Sequence, residues 1–193
     1  MADEAAEGRA APVLIRTNDL ALQEFDASLT EVVYQIRNHP SVREYLRTSA
    51  PISRESHLAW VNENLILERR LRLFVVLARD APVGIALLRN FRERCAEIGL
   101  MMVEAPRRRL VSYKAALLIG HFGFEVLGLE KLLSYVARHN EHALSFDLRC
   151  GFERTGRDSE AYFELALSRE RSRGHRTHRR FRSKYSIEIL RAS

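Results

Sequence analysis

Cysteine is nearly absent from this chain: Cys95 and Cys150 are the only two in 193 residues. They do not form a metal-ligand pattern, no metal is expected, and a reducing cytoplasmic setting is the simplest reading. Long apolar runs are missing as well. No stretch of about 18 apolar residues occurs, so no helix is expected to cross a membrane. Residues 1–11 are acidic and alanine-rich, without the basic start and apolar core of a signal peptide, and read as a flexible N-terminal segment. No internal repeat is present. What remains is ordinary globular material, 46% hydrophobic, and one domain with a real core is expected over 12–193.

The net charge of +6 is unevenly spread. Residues 168–184 hold seven Arg and one Lys against one Glu, so the rest of the chain is close to neutral. This segment reads as a basic insertion between the last two strands. Its plain reading is a disordered or solvated loop. Its functional readings are capture of a nucleotide diphosphate, contact with an acidic protein, or non-specific RNA binding. Phe181 is its only aromatic, too little for a base-stacking platform, so nucleic acid is not the expected partner.

Periodicity orders the rest. Val13 to Arg16 is a short strand. Leu29, Val32, Val33 and Ile36 lie at helical spacing, and Asn38-His39-Pro40 stops that helix. Ser53 caps a second helix with Leu58, Val61 and Leu65 on its apolar face. Leu71 to Ala78 is almost continuously apolar, as a central strand would be, and Val83 to Leu88 returns after the turn at 79–82. Lys131 to Ala137 is another strand. Asn140 caps a helix to about Arg149. Extended chain follows Phe152, and Tyr185, Ile187 and Ile189 alternate as a final strand. The order is β-α-α-β-β-β-α-β-α-β-β, which fits a mixed, mostly antiparallel sheet flanked by helices on both faces, an α/β fold.

The strongest local signal is Glu97 to Leu127. Glu97-Ile98-Gly99-Leu100-Met101-Met102-Val103 is a strand, Pro106-Arg107-Arg108-Arg109 breaks it, and a helix runs from Val111 to Leu127 before Gly128. Arginines ahead of a helix N-terminus make a site for an anion, a phosphate or pyrophosphate above all.

Three motifs carry a resemblance over about residues 12–190. One is Glu97-Ile98-Gly99 on a strand, followed by the basic loop and the helix. Another is Asn140-Glu141-His142-Ala143 followed by Cys150-Gly151-Phe152. The third, narrower, is Arg37-Asn38-His39-Pro40-Ser41-Val42-Arg43-Glu44-Tyr45 with His57-Leu58-Ala59-Trp60. Together they resemble the GCN5-related N-acetyltransferase (GNAT) superfamily, and the third resembles its members acting on nucleotide-linked amino sugars, of the pseudaminic acid pathway type.

The resemblance implies an acyltransferase that moves acetyl from acetyl-CoA, its co-substrate, to a primary amine by direct attack. It implies a cofactor wedged between the strands at 97–103 and 131–137, with Met101, Met102 and Val103 along its arm. The pyrophosphate would sit on Arg107, Arg108, Arg109, Leu110, Val111 and Ser112, with Asn140 near the cofactor. Glu97 is the implied base and Asp147 stands at the usual acid position. Tyr45, His57 and Trp60 lie where the acceptor would dock. Leu110 and Ser112 occupy positions where the family usually has small residues, glycine first, and Asp147 occupies a tyrosine position. The expected acceptor is a small-molecule amine, a nucleotide-linked amino sugar by preference. A protein N-terminal amine and a non-catalytic binding module of the same fold are the alternatives, and a homodimer is left open.

Overall fold

A computed structural model describes residues 12–45, 49–67, 71–103 and 109–191. Among the described residues nine strands form one sheet: β1 (Val13–Arg16), β2 (Leu20–Glu24), β3 (Leu71–Ala78), β4 (Ala81–Arg92), β5 (Cys95–Met102), β6 (Lys131–Ala137), β7 (Glu153–Arg154), β8 (Tyr162–Ser168) and β9 (Glu188–Arg191). Their spatial order is β7-β8-β6-β5-β4-β3-β2-β1-β9. Every pairing is antiparallel except β5 with β6. The mixed, mostly antiparallel sheet flanked by helices is the expected class.

The continuous apolar run of β3 is explained by cover on both faces. Phe74 and Val76 point to one side, into a core with Ala115, Leu118, Ile119 and Phe122 from α4 (Arg109–His121) and its π-helical extension Phe122–Val126. Leu73 and Val75 point to the other, against Val33 and Ile36 of α1 (Thr30–Asn38) and Val61 of α3 (Arg54–Val61). Between these helices Pro40 opens the short α2 (Pro40–Arg43), its fixed φ suited to a first helical turn. Ser53 caps α3 as expected, its hydroxyl accepting from the Ser56 N–H at 3.1 Å. The α4 segment ends at Gly128, whose φ of +68° a residue with a Cβ rarely adopts.

Three features depart from the expected order. The extended chain after Phe152 forms two strands, β7 and β8, paired with each other. Strand β2 pairs with both β1 and β3 and fills the gap between them. The basic segment is not a loop. It folds into α6 (Arg169–Gly174) and α7 (Arg176–Lys184). The strands it joins, β8 and β9, are not neighbours, because β9 crosses the molecule to pair with β1. Ser172, His178 and Phe181 are buried beneath it. His178 Nε2 lies 2.8 Å from the Cys150 carbonyl and its Nδ1 lies 3.0 Å from Ser172 Oγ. Burial pushes the His178 pKa down to about 4, so the ring is neutral and serves as a two-ended tie. The cations are partly spent on structure: Arg169 and Arg173 pair with Glu125, and Arg171 with Glu153.

Candidate active site

Helix α5 (Glu141–Arg149) packs on the α4 side of β6, with Ala143, Leu144 and Phe146 against that core. Among the described residues, β5 and β6 pair only at Cys95↔Lys131, Ala96↔Leu132 and Glu97↔Leu133. Both strands run on, to Met102 and Ala137, and they diverge. The result is a wedge whose apex is Glu97. The Val103 N–H donates to the Val83 carbonyl at 2.9 Å, and in the β4–β5 register Ile85 then faces Met101 in a hydrogen-bonded pair. Backbone polarity alternates along a strand, so Leu100 and Met102 turn their amides toward the wedge. Of the three residues expected to line the cofactor arm, Met102 has its backbone there. The backbone N–H groups of Met101 and Val103 face β4, a correction fixed by register. Both methionine side chains fill core, Met101 on the α1 side and Met102 on the α4 side.

The expected pyrophosphate loop is described in part. Arg107 and Arg108 lie outside the described residues. Arg109, Leu110, Val111 and Ser112 form the first turn of α4, so the positive end of the helix dipole points at this loop. Leu110, in the place of a glycine, turns its side chain outward and is 61% exposed. Asn140 is the cap of α5, its Oδ1 accepting from the Ala143 N–H at 2.9 Å.

On the α4 side of the wedge sits Asp147. Its Oδ2 accepts from Ser134 Oγ at 2.6 Å, and Ser134 is the first β6 residue beyond the last pairing with β5. Burial raises the Asp147 pKa to about 6, with the Ser134 hydrogen bond pulling the other way. At neutral pH roughly a tenth of such a group is protonated. Asp147 is thus more often protonated at neutral pH than an exposed aspartate would be.

On the opposite face lies a cavity of about 410 Å³ lined by Arg89, Glu97, Tyr135, Arg157, Tyr162 and Glu164, with Ser159 at its side. Glu97 is 7% exposed. Its Oε1 accepts from Arg89 Nε at 2.8 Å and from Arg89 Nη2, and its Oε2 accepts from Asn90 Nδ2 at 2.7 Å. Tyr135 faces Glu164 across the β6–β8 pair and donates to its Oε2 at 3.2 Å.

The expected acceptor residues are not brought together. His57 is 1% exposed, so an acceptor cannot reach it. Its Nε2 lies 3.0 Å from the Thr30 carbonyl and its Nδ1 lies 3.2 Å from Arg37 Nη1, which ties α3 to α1. Burial lowers its pKa. Trp60 is half-buried, with the Arg37 guanidinium 3.8 Å from its ring centroid. Tyr45 is 56% exposed at the end of α2. Spacing does not find Ser134 and Tyr135 beside the wedge, or Arg157 and Glu164 in the cavity next to it. They come from two strands and a loop, and only the register of β5, β6 and β8 makes them neighbours.

Known proteins share this fold. Residues 19–153 match the model of the acetyltransferase (GNAT) domain. Acetyltransferase PseH of Campylobacter jejuni subsp. jejuni is 24% identical over 140 residues, 72% of this chain and 87% of that protein. Spermidine N-acetyltransferase from Vibrio cholerae, solved with CoA and spermine, matches at a TM-score of 0.68 and 18% identity, covering 79% of this chain and 97% of that one. Apo FdhC, a nucleotide-linked sugar GNAT, matches at 0.67 and 20% identity, covering 81% of this chain and 90% of that one. The family match ends at Glu153, before β8 and the α6–α7 segment. The chain belongs to the GNAT acetyltransferase family and is an acyltransferase.

Proposed function

We propose that this acetyltransferase moves acetyl from acetyl-CoA to the primary amine of a nucleotide-linked amino sugar, by direct attack in a ternary complex. The wedge between β5 and β6 carries the reading. It opens beyond Glu97, turns the Leu100 and Met102 amides inward, and has Asp147 with Ser134 on one side and a polar cavity on the other. In that frame the thioester lies in the wedge, a strand amide stabilises the oxyanion, and Asp147 gives its proton to the departing thiolate.

The cavity's charge supports the sugar over a polyamine. Its lining balances Arg89 and Arg157 against Glu97 and Glu164. A polyamine with several positive charges calls for a net-acidic lining, whereas an amine that also carries phosphates suits guanidiniums beside carboxylates. The likeness to PseH and to FdhC points the same way.

The test is calorimetry with acetyl-CoA, followed by an acceptor screen containing UDP-linked 4-amino sugars, spermidine and peptides. Micromolar acetyl-CoA binding and acetylation of the UDP-sugar alone are expected. Acetylation of spermidine or of peptides alone would overturn the sugar assignment. Absence of acetyl-CoA binding at millimolar ligand would leave only a non-catalytic module, the reading that Leu110 favours.

A further inference from the structure

Before it can attack a thioester, an ammonium must lose a proton, and the group that takes it needs an oxygen that can accept one. Glu97, at the apex of the wedge, is poorly placed for this. Both of its oxygens are engaged, by Arg89 and by Asn90. Guanidinium and amide NH₂ groups donate only. Were Glu97 to gain a proton on Oε1, its new O–H would face only guanidinium donors, and on Oε2 it would be met only if the Asn90 amide turned over to present its Oδ1.

Glu164 lines the same cavity in different company. Tyr135 Oη donates to its Oε2 at 3.2 Å, and Thr155 Oγ1 lies 2.8 Å from its Oε1. Both partners are hydroxyls, which donate or accept as they turn. A protonated Glu164 therefore keeps its hydrogen bonds by reversing one of them. The placement is also fixed by register. Leu133 is the last β6 residue paired with β5, and Tyr135 lies two residues further on, on the Glu97 face of the sheet. Glu164 is the direct β8 partner of Tyr135, one strand away from the wedge. Arg89, Arg157 and Glu97 also face the cavity. Among the described residues Arg157 makes no ion pair, so the phosphate end of an acceptor has a guanidinium to meet while its amine points toward Glu164.

We propose that Glu164 is the proton acceptor for the acceptor amine, with Tyr135 as its positioning residue, an inference that rests on the acetyl-transfer reading above. The carboxylate takes one proton from R–NH₃⁺. The free amine's lone pair forms the C–N bond to the thioester carbon, and the tetrahedral adduct collapses with cleavage of the C–S bond. The CoA thiolate takes a proton from Asp147. The second proton, still carried by the adduct nitrogen, leaves to solvent, as does the one held by Glu164, and Asp147 recovers its own from solvent. The sum is amide, CoA thiol and one released proton.

The test follows thiol release from acetyl-CoA with a chromogenic disulfide, using a UDP-linked 4-amino sugar as acceptor and water as the background acceptor. In Glu164→Gln, release is expected to fall about 100-fold near pH 7, and the deficit should shrink as pH rises toward the amine's own pKa. Acetyl-CoA affinity by calorimetry should stay at the wild-type value. Glu164→Asp should recover part of the rate. Tyr135→Phe should shift the acidic limb of kcat/KM while leaving the alkaline one in place. An active wild type with Glu164→Gln within about threefold of it near pH 7, or with a deficit that stays constant with pH, overturns the assignment of Glu164 alone. A wild type that releases no thiol with the UDP-sugar, with spermidine or with peptides overturns the acetyl-transfer reading and this inference with it.

Discussion

Two carboxylates flank the β5–β6 wedge from opposite faces of the sheet, and their surroundings separate them. Glu97 is nearly buried and ion-paired, with Arg89 and Asn90 on its oxygens. Asp147 is half-buried on α5, with the Ser134 hydroxyl as its hydrogen-bond partner and the α4-side core around it. Burial without a cation leaves Asp147 with a pKa near 6. A carboxylate clamped by a guanidinium holds a strand end together, whereas one left in an apolar setting can carry a proton near neutral pH. Position in the family pattern implies a catalytic role for both, and the two environments divide that role.

The largest expected effect breaks the comparison on the Asp147 side. If Asp147 protonates the thiolate, Asp147→Asn lowers kcat by about 100-fold, the lower range for a general acid. The active form is the protonated one, so wild-type kcat should decline as pH rises through about 6. The variant should lose that inflection. Stability should fall over the same pH range. The folded-state pKa is raised above the unfolded value of 3.8, so the contribution of Asp147 to stability is full below that value and is lost as pH rises through about 6. Asp147→Asn should therefore melt higher than wild type at pH 8 and alongside it at pH 4. Thermal melts across pH check this, and an unchanged turnover with an unchanged pH profile would remove Asp147 from the mechanism.

The next effect tests the other carboxylate. Arg89→Leu leaves Glu97 buried without its cation. Removing one partner of a fully buried pair costs about 3–5 kcal/mol, and because the Arg89 side chain is half exposed a loss of about 1–2 kcal/mol is expected by urea denaturation. Exposed ion pairs such as Arg94 with Glu130 should give well under 1 kcal/mol when broken. Equal losses at the two sites would mean that Glu97 is no more committed to structure than a surface residue.

Much of the frame is legible because it is local. The apolar run of β3, the Ser53 and Asn140 caps and the stop at Gly128 follow from propensity and hydrogen-bond chemistry over a few residues. The wedge is not local. No residue between Glu97 and Val103 marks where β5 leaves β6, since divergence depends on which backbone groups two distant segments share. The cavity gathers Arg89, Tyr135 and Glu164 from three strands, and Tyr135 in isolation reads as an exposed strand residue. His57 misleads in the opposite direction, because a histidine near a docking motif looks available until α1 closes over it. In the basic segment eight cations obscure a narrow apolar seam, His178 and Phe181 at helical spacing, and that seam seats α7 on the core.

The smallest effect sharpens the comparison by asking what carries Asp147. Asn140 Oδ1 satisfies the Ala143 N–H in the first turn of α5. Replacing a cap of this kind with Ala costs about 1 kcal/mol, which for a domain of this size lowers Tm by about 2–4 °C. Asn140→Asp keeps an acceptor oxygen and adds a charge favourable at a helix N-terminus, so it should hold the wild-type Tm. Asp147 lies a full turn beyond Ala143, with Ser134 holding it from β6. Fraying of the first turn should therefore leave the kcat inflection near pH 6 where it is. A pure cap predicts lower Tm with unchanged acetyl-CoA affinity in Asn140→Ala, measured well below the melt. A loss of affinity of tenfold or more in that variant, restored by neither Asp nor Ser, would instead make the side-chain amide a ligand contact and move the edge of the cofactor site onto α5.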